Sequence, residues 1–461
     1  MPTQCNAEQL QFSCVERRRV VAAFDGGTVS SDAGALLLGR ADEAIGLIDR
    51  LAGCFVDERH AASIEHTVRT LIGQRVFGMA LGYEDLNDHE QLRHDPVFGA
   101  LLGKLSAKRR SDCAALAGKS TLNRLELHAR EGVDRYHKIR PDAEAIEGLF
   151  VDLFLDAHRT APSEIVLDLD ATDDPLHGHQ EGRFFHGYYD GYCYLPLYIF
   201  CGEHLLVAKL RRANIDGAAG AREEVERLVG TIRARWPEVR IILRADSGFC
   251  RDELMGWCEE NTVDYVFGLA KNARLVRAIG AQLRAAAAES RQTQRPARRF
   301  KELVYATRKS WSRPRRVVAK AEQTGDKSNP RFIVTSVGKS ALAARELYEH
   351  FYCARGEMEN RIKEAQLDLF ADRLSTATFR ANQLRLWLAS AAYVLMHALR
   401  RIGLKGTALA RACAHTIRLR LLKIGALVTV SVRRVKLAMS EACPNQHEFI
   451  HAFHALGAAA R

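Results

Sequence analysis

Apolar positions recur along this chain with two periods, and the change between them divides it. Through the first 150 residues the helical period dominates. ASIEHTVRTLIGQRVFGMALGY (62–83) places apolar residues three and four apart, and shorter helical pieces follow through Leu102 and from Thr121 to Arg130. Ahead of them VVAAFDGGTVSS (20–31) predicts a strand and a turn. From about residue 163 the pattern changes to strands. IVLDLDATD (165–173), the aromatic run FFHGYYDGYCYLPLYIFC (184–201) and HLLVAKLRRANI (204–215) predict an antiparallel meander. AREEVERLVGTIRARW (221–236) is an amphipathic helix, acidic in its first turn and basic in its last, as the helix dipole favours. RIILRADSGF (240–249) then predicts a strand, RDELMGWCEE (251–260) a helix and VDYVFGLA (263–270) a strand. The order is β-β-β-α-β-α-β. Strands at Phe300–Thr307, Arg316–Gln323 and Arg331–Val337 predict an inserted sheet, followed by one long helix from about Leu342 to Phe370. The rest is helical apart from a strand near Ala426–Val435.

Three regions are therefore expected. Residues 1–150 form a mainly helical domain. Residues 151–372 form a mixed α/β domain with a basic, β-rich insertion at about 290–340. Residues 373–461 form a basic, mainly helical region. No stretch approaches the eighteen apolar residues of a membrane span, and the N-terminus lacks a signal-type apolar core, so a cytoplasmic protein is expected. AGKST (117–121) resembles the end of a phosphate-binding loop, but Cys113 stands where that loop needs glycine, so no nucleotide cofactor is expected.

Charge adds a partner. The formal net charge is +11. Ser375–Arg461 holds 13 Lys and Arg against 2 acids, and Ser290–Arg331 holds 13 against 3, so the remainder carries 11 − 21 = −10. Such polarity suits a polyanion. Within RKSWSRPRR (308–316), Arg313, Arg315 and Arg316 are expected on phosphates, and Trp311 on an unpaired base.

Three acids stand out by position. Asp170 ends the first core strand, Asp246 ends the fourth and Glu359 lies on the long helix, 76 and then 113 residues further on. Strands ending at one sheet edge bring carboxylates together whatever their separation in sequence. Hard oxygen ligands so grouped suit a pair of divalent cations on a phosphoryl group. At 100° per residue, Tyr352, Arg355, Glu359 and Gln366 fall on one narrow helical stripe. A hydroxyl, a guanidinium and a carboxylate there suit a phosphate beside a metal site.

The strand order with acids after the first and fourth strands resembles the RNase H-like layout. YCARGEMENRIKEAQ (352–366) resembles the Tyr-x2-Arg-x3-Glu-x6-Lys signature of DDE-type bacterial insertion-sequence transposases, and with LDLDATDDPLHGHQEG (167–182) and LRADSGFC (243–250) the likeness covers nearly the whole chain. It implies Asp170, Asp246 and Glu359 as the catalytic, metal-binding triad for two Mg²⁺ ions, with Mn²⁺ able to substitute. Tyr352 and Arg355 are implied as contacts to the transposon end. The implied partners are double-stranded DNA, both terminal inverted repeats and target, and a second copy of the chain on that DNA, with residues 1–150 implied to bind DNA ends and residues 373–461 to bind DNA or dimerise. One departure stands: Gln366 occupies the place of the signature's Lys, and Lys363 lies nearly a turn earlier. Asp168 shares the strand face of Asp170 and competes as first ligand; Thr172, two residues after Asp170, matches the family spacing and favours Asp170. A nuclease without strand transfer, or a DNA-binding relative without catalysis, remains the alternative.

Overall fold

The computed structural model describes residues 8–106, 114–128 and 135–460. The expected helical end at Arg130 lies outside them. Helix α1 (Val68–Ala80) starts at Thr67, whose hydroxyl accepts from the Thr70 amide, and is buried over almost its whole length. Helix α2 (Ala143–Asp156) is capped by Asp142 and packs its apolar side on the sheet that follows.

That sheet begins with β1 (Glu164–Ala171), whose two-residue period sends Ile165, Leu167 and Leu169 into one core and Val166, Asp168 and Asp170 to the other face. β2 (Leu197–Cys201) and β3 (His204–Lys209) extend it antiparallel as the expected meander. Helix α3 (Ala221–Arg235) carries the chain across one face on Val225, Leu228, Val229 and Ile232. β4 (Arg240–Ala245) then pairs parallel with the free side of β1. Helix α4 (Asp252–Glu260) returns the chain to β5 (Asp264–Leu269), parallel to β4.

Two expectations need correction. The insertion makes no sheet of its own. β6 (Ala297–Tyr305), β7 (Arg315–Thr324) and β8 (Arg331–Thr335) fall where the pattern predicts, but β8 pairs with β5. The sheet therefore runs on as β3-β2-β1-β4-β5-β8-β7-β6, with Lys327–Ser328 paired to β7 as a ninth strand. Without β8, the outer edge of β5 would present unpaired backbone groups, and the insertion satisfies them. The aromatic run 184–201 is also not one strand. Phe184–His186 and Gly191–Tyr194 form a hairpin in a small separate sheet with Asp174–Pro175, and only Leu197–Cys201 joins the main sheet. Its turn holds Asp190 at φ 52°, a left-handed conformation that aspartate tolerates, ahead of Gly191.

The expected long helix is helical from Ala344 to Asp368 but uneven. Wide π turns at Leu347–Tyr352 and Glu364–Asp368 flank α5 (Gly356–Lys363). Helix α6 (Phe379–Ala398) follows, buried on nearly every side. The strand expected near Ala426–Val435 is a hairpin, Ala426–Val430 with Val435–Met439, whose first strand pairs with Val29–Ser30.

The expected boundaries near 150 and 372 do not separate cores. One apolar cluster holds Leu37, Leu71 and Phe150 from the first region, Phe200 and Leu205 from the sheet, and Met358, Leu395 and Leu456 from the end of the chain. At its centre α1 and α6 pack together around a buried polar knot. Arg75 donates to Glu126 Oε1 at 2.8 Å, and Arg385 on α6 donates to Glu126 Oε2 at 2.7 Å. Glu126 is fully buried and Arg75 is 1% exposed. Removing one partner of such a pair leaves uncompensated charge, which costs about 3–5 kcal/mol. Glu126→Gln is therefore expected to lower stability by about that amount, read as a shift of the denaturant midpoint at unchanged slope. A midpoint within about 1 kcal/mol of wild type contradicts the central role of this knot.

Candidate active site

The parallel register of β1 and β4 sets the site. Leu169 lies beside Ala245, so the next residues are level with each other: Asp170, still paired with Tyr198 of β2, and Asp246, the first residue past β4. Neighbouring strands lie about 4.8 Å apart, so the two carboxylates share one edge. Asp246 ends its strand by capping a short turn: its Oδ1 accepts from the Gly248 amide at 2.8 Å. The helical segment 344–368 crosses this edge on the face carrying Asp168 and Asp170. Its residues Arg355, Glu359, Lys363 and Gln366 line an open cleft of about 510 Å³ with Asp170 and Asp246.

The cleft holds opposed charges. Arg355 donates to Glu359 at 2.6 Å and approaches Asp170 Oδ2 at 3.7 Å. Burial, reinforced by the charges of Asp246 and Glu359, pushes the Asp170 carboxyl up to about 7 against the pull of Arg355. Three carboxylates lining one cleft are a donor set suited to a hard cation. As the side chains stand, no three metal-ligating groups among the described residues converge closely enough to hold an ion. Glu359 is turned to Arg355, and its side chain is 43% exposed, which leaves it room to change rotamer.

Asp168 does not reach the cleft. It is buried against Arg244, which lies beside it on β4 and holds both its oxygens, at 2.5 and 2.7 Å. The same guanidinium donates to the Phe351 carbonyl, tying the π turn to the sheet. Gln366 faces the cleft but its amide is engaged: it donates to Asp174 Oδ1 at 2.8 Å and to the Asp173 carbonyl at 3.2 Å. Asp174 is wholly buried, and burial raises its carboxyl well above the usual range. Where the signature has a cation for phosphate, this side chain holds the segment that follows β1.

Several side chains of the basic run 308–316, expected on phosphates, also find partners within the protein. Arg315 is 5% exposed and bonds Glu259 and Asp252. Arg313 pairs with Glu259, and Arg316 with Glu302 and the Val337 and Leu342 carbonyls. Trp311 packs edge-on against Tyr305, 5.8 Å between rings, with Arg315 over it. Arg308 and Lys309 stay exposed at the loop tip. In the C-terminal region Arg400 is likewise buried on Glu364, and Arg418 on backbone carbonyls.

Sequence reasoning missed three residues that line the cleft and one glycine packed against Tyr352 and the Asp246 turn. His186, Tyr188 and Tyr189 line the cleft from the small hairpin, with Tyr188 84% exposed. The Asp190-Gly191 turn was the signal that could have lifted them out of the main sheet. Gly268 on β5 was the other: a Cβ there would stand 2.6 Å from the Tyr352 hydroxyl and 2.8 Å from the Ser247 amide. Gly268→Ala is expected to cost about 1–3 kcal/mol by overpacking against Tyr352 and the Asp246 turn. Thermal melting checks it, and a wild-type Tm contradicts the close packing.

No curated protein matches the sequence. Among solved structures the chain is similar to the cryo-EM structure of the piggyBac transposase synaptic complex with hairpin DNA, at 12% identity and a TM-score of 0.40, over 85% of this chain and 80% of that one. The family described as Transposase DDE domain group 1 matches residues 12–460, nearly the whole length, and the chain belongs to it.

Proposed function

We propose that this chain is a DNA transposase with an RNase H-like core that cuts at transposon ends and transfers the resulting 3′-hydroxyl into target DNA. The observation that carries this reading is the level placement of Asp170 and Asp246 at the ends of paired parallel strands, with Glu359 lining the same cleft. The strand order β3-β2-β1-β4-β5, with β2 alone antiparallel to both neighbours, supports the RNase H-like assignment.

Asp170, Asp246 and Glu359 are the residues to hold divalent cations, two Mg²⁺ or Mn²⁺ in their place. Such ions supply Lewis-acid charge to the attacking and leaving oxygens of a phosphodiester. Arg355, braced between Asp170 and Glu359, orients Glu359 and offers its remaining N–H groups to a DNA phosphate. Tyr352 supports the Asp246 turn from behind Gly268. Lys363 lines the cleft as its second cation, and Gln366 fixes the Asp173–Asp174 segment beside the site. Terminal inverted repeats and target DNA are the substrates. Two ends cut in concert call for a homodimer on DNA, working in the cytoplasm. No helix among the described residues is long and apolar enough to cross a membrane.

Incubation with Mg²⁺ and DNA carrying the inverted repeats that flank the gene tests this reading. Joined products are expected. Cleavage without joining supports a nuclease instead, and binding without cleavage supports a silent relative. Asp246→Asn and Glu359→Gln should each reduce cleavage by more than the ~100-fold that loss of an outer-shell metal partner costs. Either variant cutting at the wild-type rate removes that residue from the site.

A further inference from the structure

Arg355 occupies the ground between two of the cleft's acids. Its guanidinium donates to Glu359 Oε1 at 2.6 Å and stands 3.7 Å from Asp170 Oδ2. Arg355 closes a tight turn at the start of α5, and Glu359 follows four residues later on the same helical face, so the two meet with no movement of the backbone. The side chains of Arg355 and Asp170 are 18% and 16% exposed, and that of Glu359 is 43% exposed. The positive charge beside Asp170 is thus a side chain of the protein itself, set inward, while Glu359 lies on the open side with room to turn.

Charge and geometry make this arrangement a competition. A cation held by Asp170 and Glu359 needs the carboxylate oxygens that Arg355 engages, and a guanidinium so close to it repels it. The arginine is also an easily displaced holder, because an ion pair between neighbouring turns of one helix, open to water on its carboxylate side, is weak. A phosphate offers the guanidinium two oxygens for a forked pair of charged hydrogen bonds, which a partly exposed carboxylate engaged through one oxygen does not match. Lys363, a turn beyond Glu359, lines the same cleft, but its ammonium is a point charge without that fork.

We infer that Arg355 is a positioning residue that couples DNA to the cation site. Without DNA it holds Glu359 along the helix and keeps its own charge beside Asp170. A phosphate of the transposon end takes its N–H groups, and Glu359 is released to complete the carboxylate set with Asp170 and Asp246. The inference rests on the transposase reading and adds an order of events to it. By linkage the coupling is reciprocal, so divalent cation and DNA each tighten the binding of the other by the same factor.

The test is a titration of the full chain with Mn²⁺, following the free ion by electron paramagnetic resonance, alone and with a saturating duplex. The duplex ends at the element's terminus in a 3′-deoxynucleotide, so it is neither cut there nor joined, and its own uptake of Mn²⁺ is measured separately. It should tighten Mn²⁺ binding by the wild type about tenfold, within the usual range for coupled sites. Without DNA, Arg355→Gln should bind Mn²⁺ about tenfold more tightly than the wild type, and it should gain less from the duplex. Lys363→Gln removes a charge from the same cleft but leaves the Arg355–Glu359 pair, so it should keep the wild-type dependence on DNA. Wild-type Mn²⁺ affinity unmoved by the duplex overturns the inference, and that arm needs no variant to fold. Arg355→Gln binding Mn²⁺ no more tightly than the wild type also overturns it. So does a gain from the duplex that is equal in the two proteins, which would come from the duplex's own phosphates, or a Lys363→Gln protein that tightens as much as Arg355→Gln. Mn²⁺ binding untouched by Asp246→Asn contradicts the triad itself, so the coupling and the reading beneath it fail separately.

Discussion

The parallel pairing of β1 with β4 is the contact on which the site depends. Parallel neighbours need a crossover, and the stretch β2-β3-α3 supplies it, filling one face of the sheet on the way. The register then puts Leu169 beside Ala245, so Asp170, one residue before the end of β1, is level with Asp246, the first residue after β4. Were these strands antiparallel, a six-residue strand at about 3.3 Å per residue would hold the two acids some 20 Å apart. Everything added later serves this edge. The insertion closes the far side of β5, and the helical segment 344–368 lies over the opposite face to bring Arg355 and Glu359 to the acids. The Arg244–Asp168 pair joins β1, β4 and that segment in one contact just behind the site.

Much of the chain's positive charge does internal work. Arg75, Arg315, Arg400 and Arg418 are all buried, each on carboxylates or backbone carbonyls. A guanidinium with five donors can satisfy several such acceptors at once, and its long stem packs like an apolar side chain. A count of basic residues per segment therefore overstates what is offered to DNA.

Strand and helix positions in the core were largely legible in the sequence, because a sheet buried on both faces writes long apolar runs and α3 carries its own charge signature. The candidate triad was legible for a related reason: acids at the ends of such runs have no core role to explain them. What the sequence could not give was partnership. Nothing in Arg331–Thr335 says that it pairs with Asp264–Leu269 rather than closing a sheet of its own. Nothing in Gln366 says that its amide turns to Asp174. The aromatic run 184–201 misled because aromatic residues favour strands whether they lie in the main sheet or in a hairpin over the cleft. The three expected regions failed as separate cores because helices from both ends of the chain bury one another, and burial between distant segments leaves no local mark.

The claim at the centre is that Asp170, Asp246 and Glu359 together form a divalent-cation site. Titration of the protein with Mn²⁺, following the free ion by electron paramagnetic resonance, tests it without reference to DNA sequence. Saturable binding by the wild type, lost in Asp170→Asn and Asp246→Asn and weakened in Glu359→Gln, is the expected result. Mn²⁺ binding that is the same in all three variants as in the wild type would contradict it.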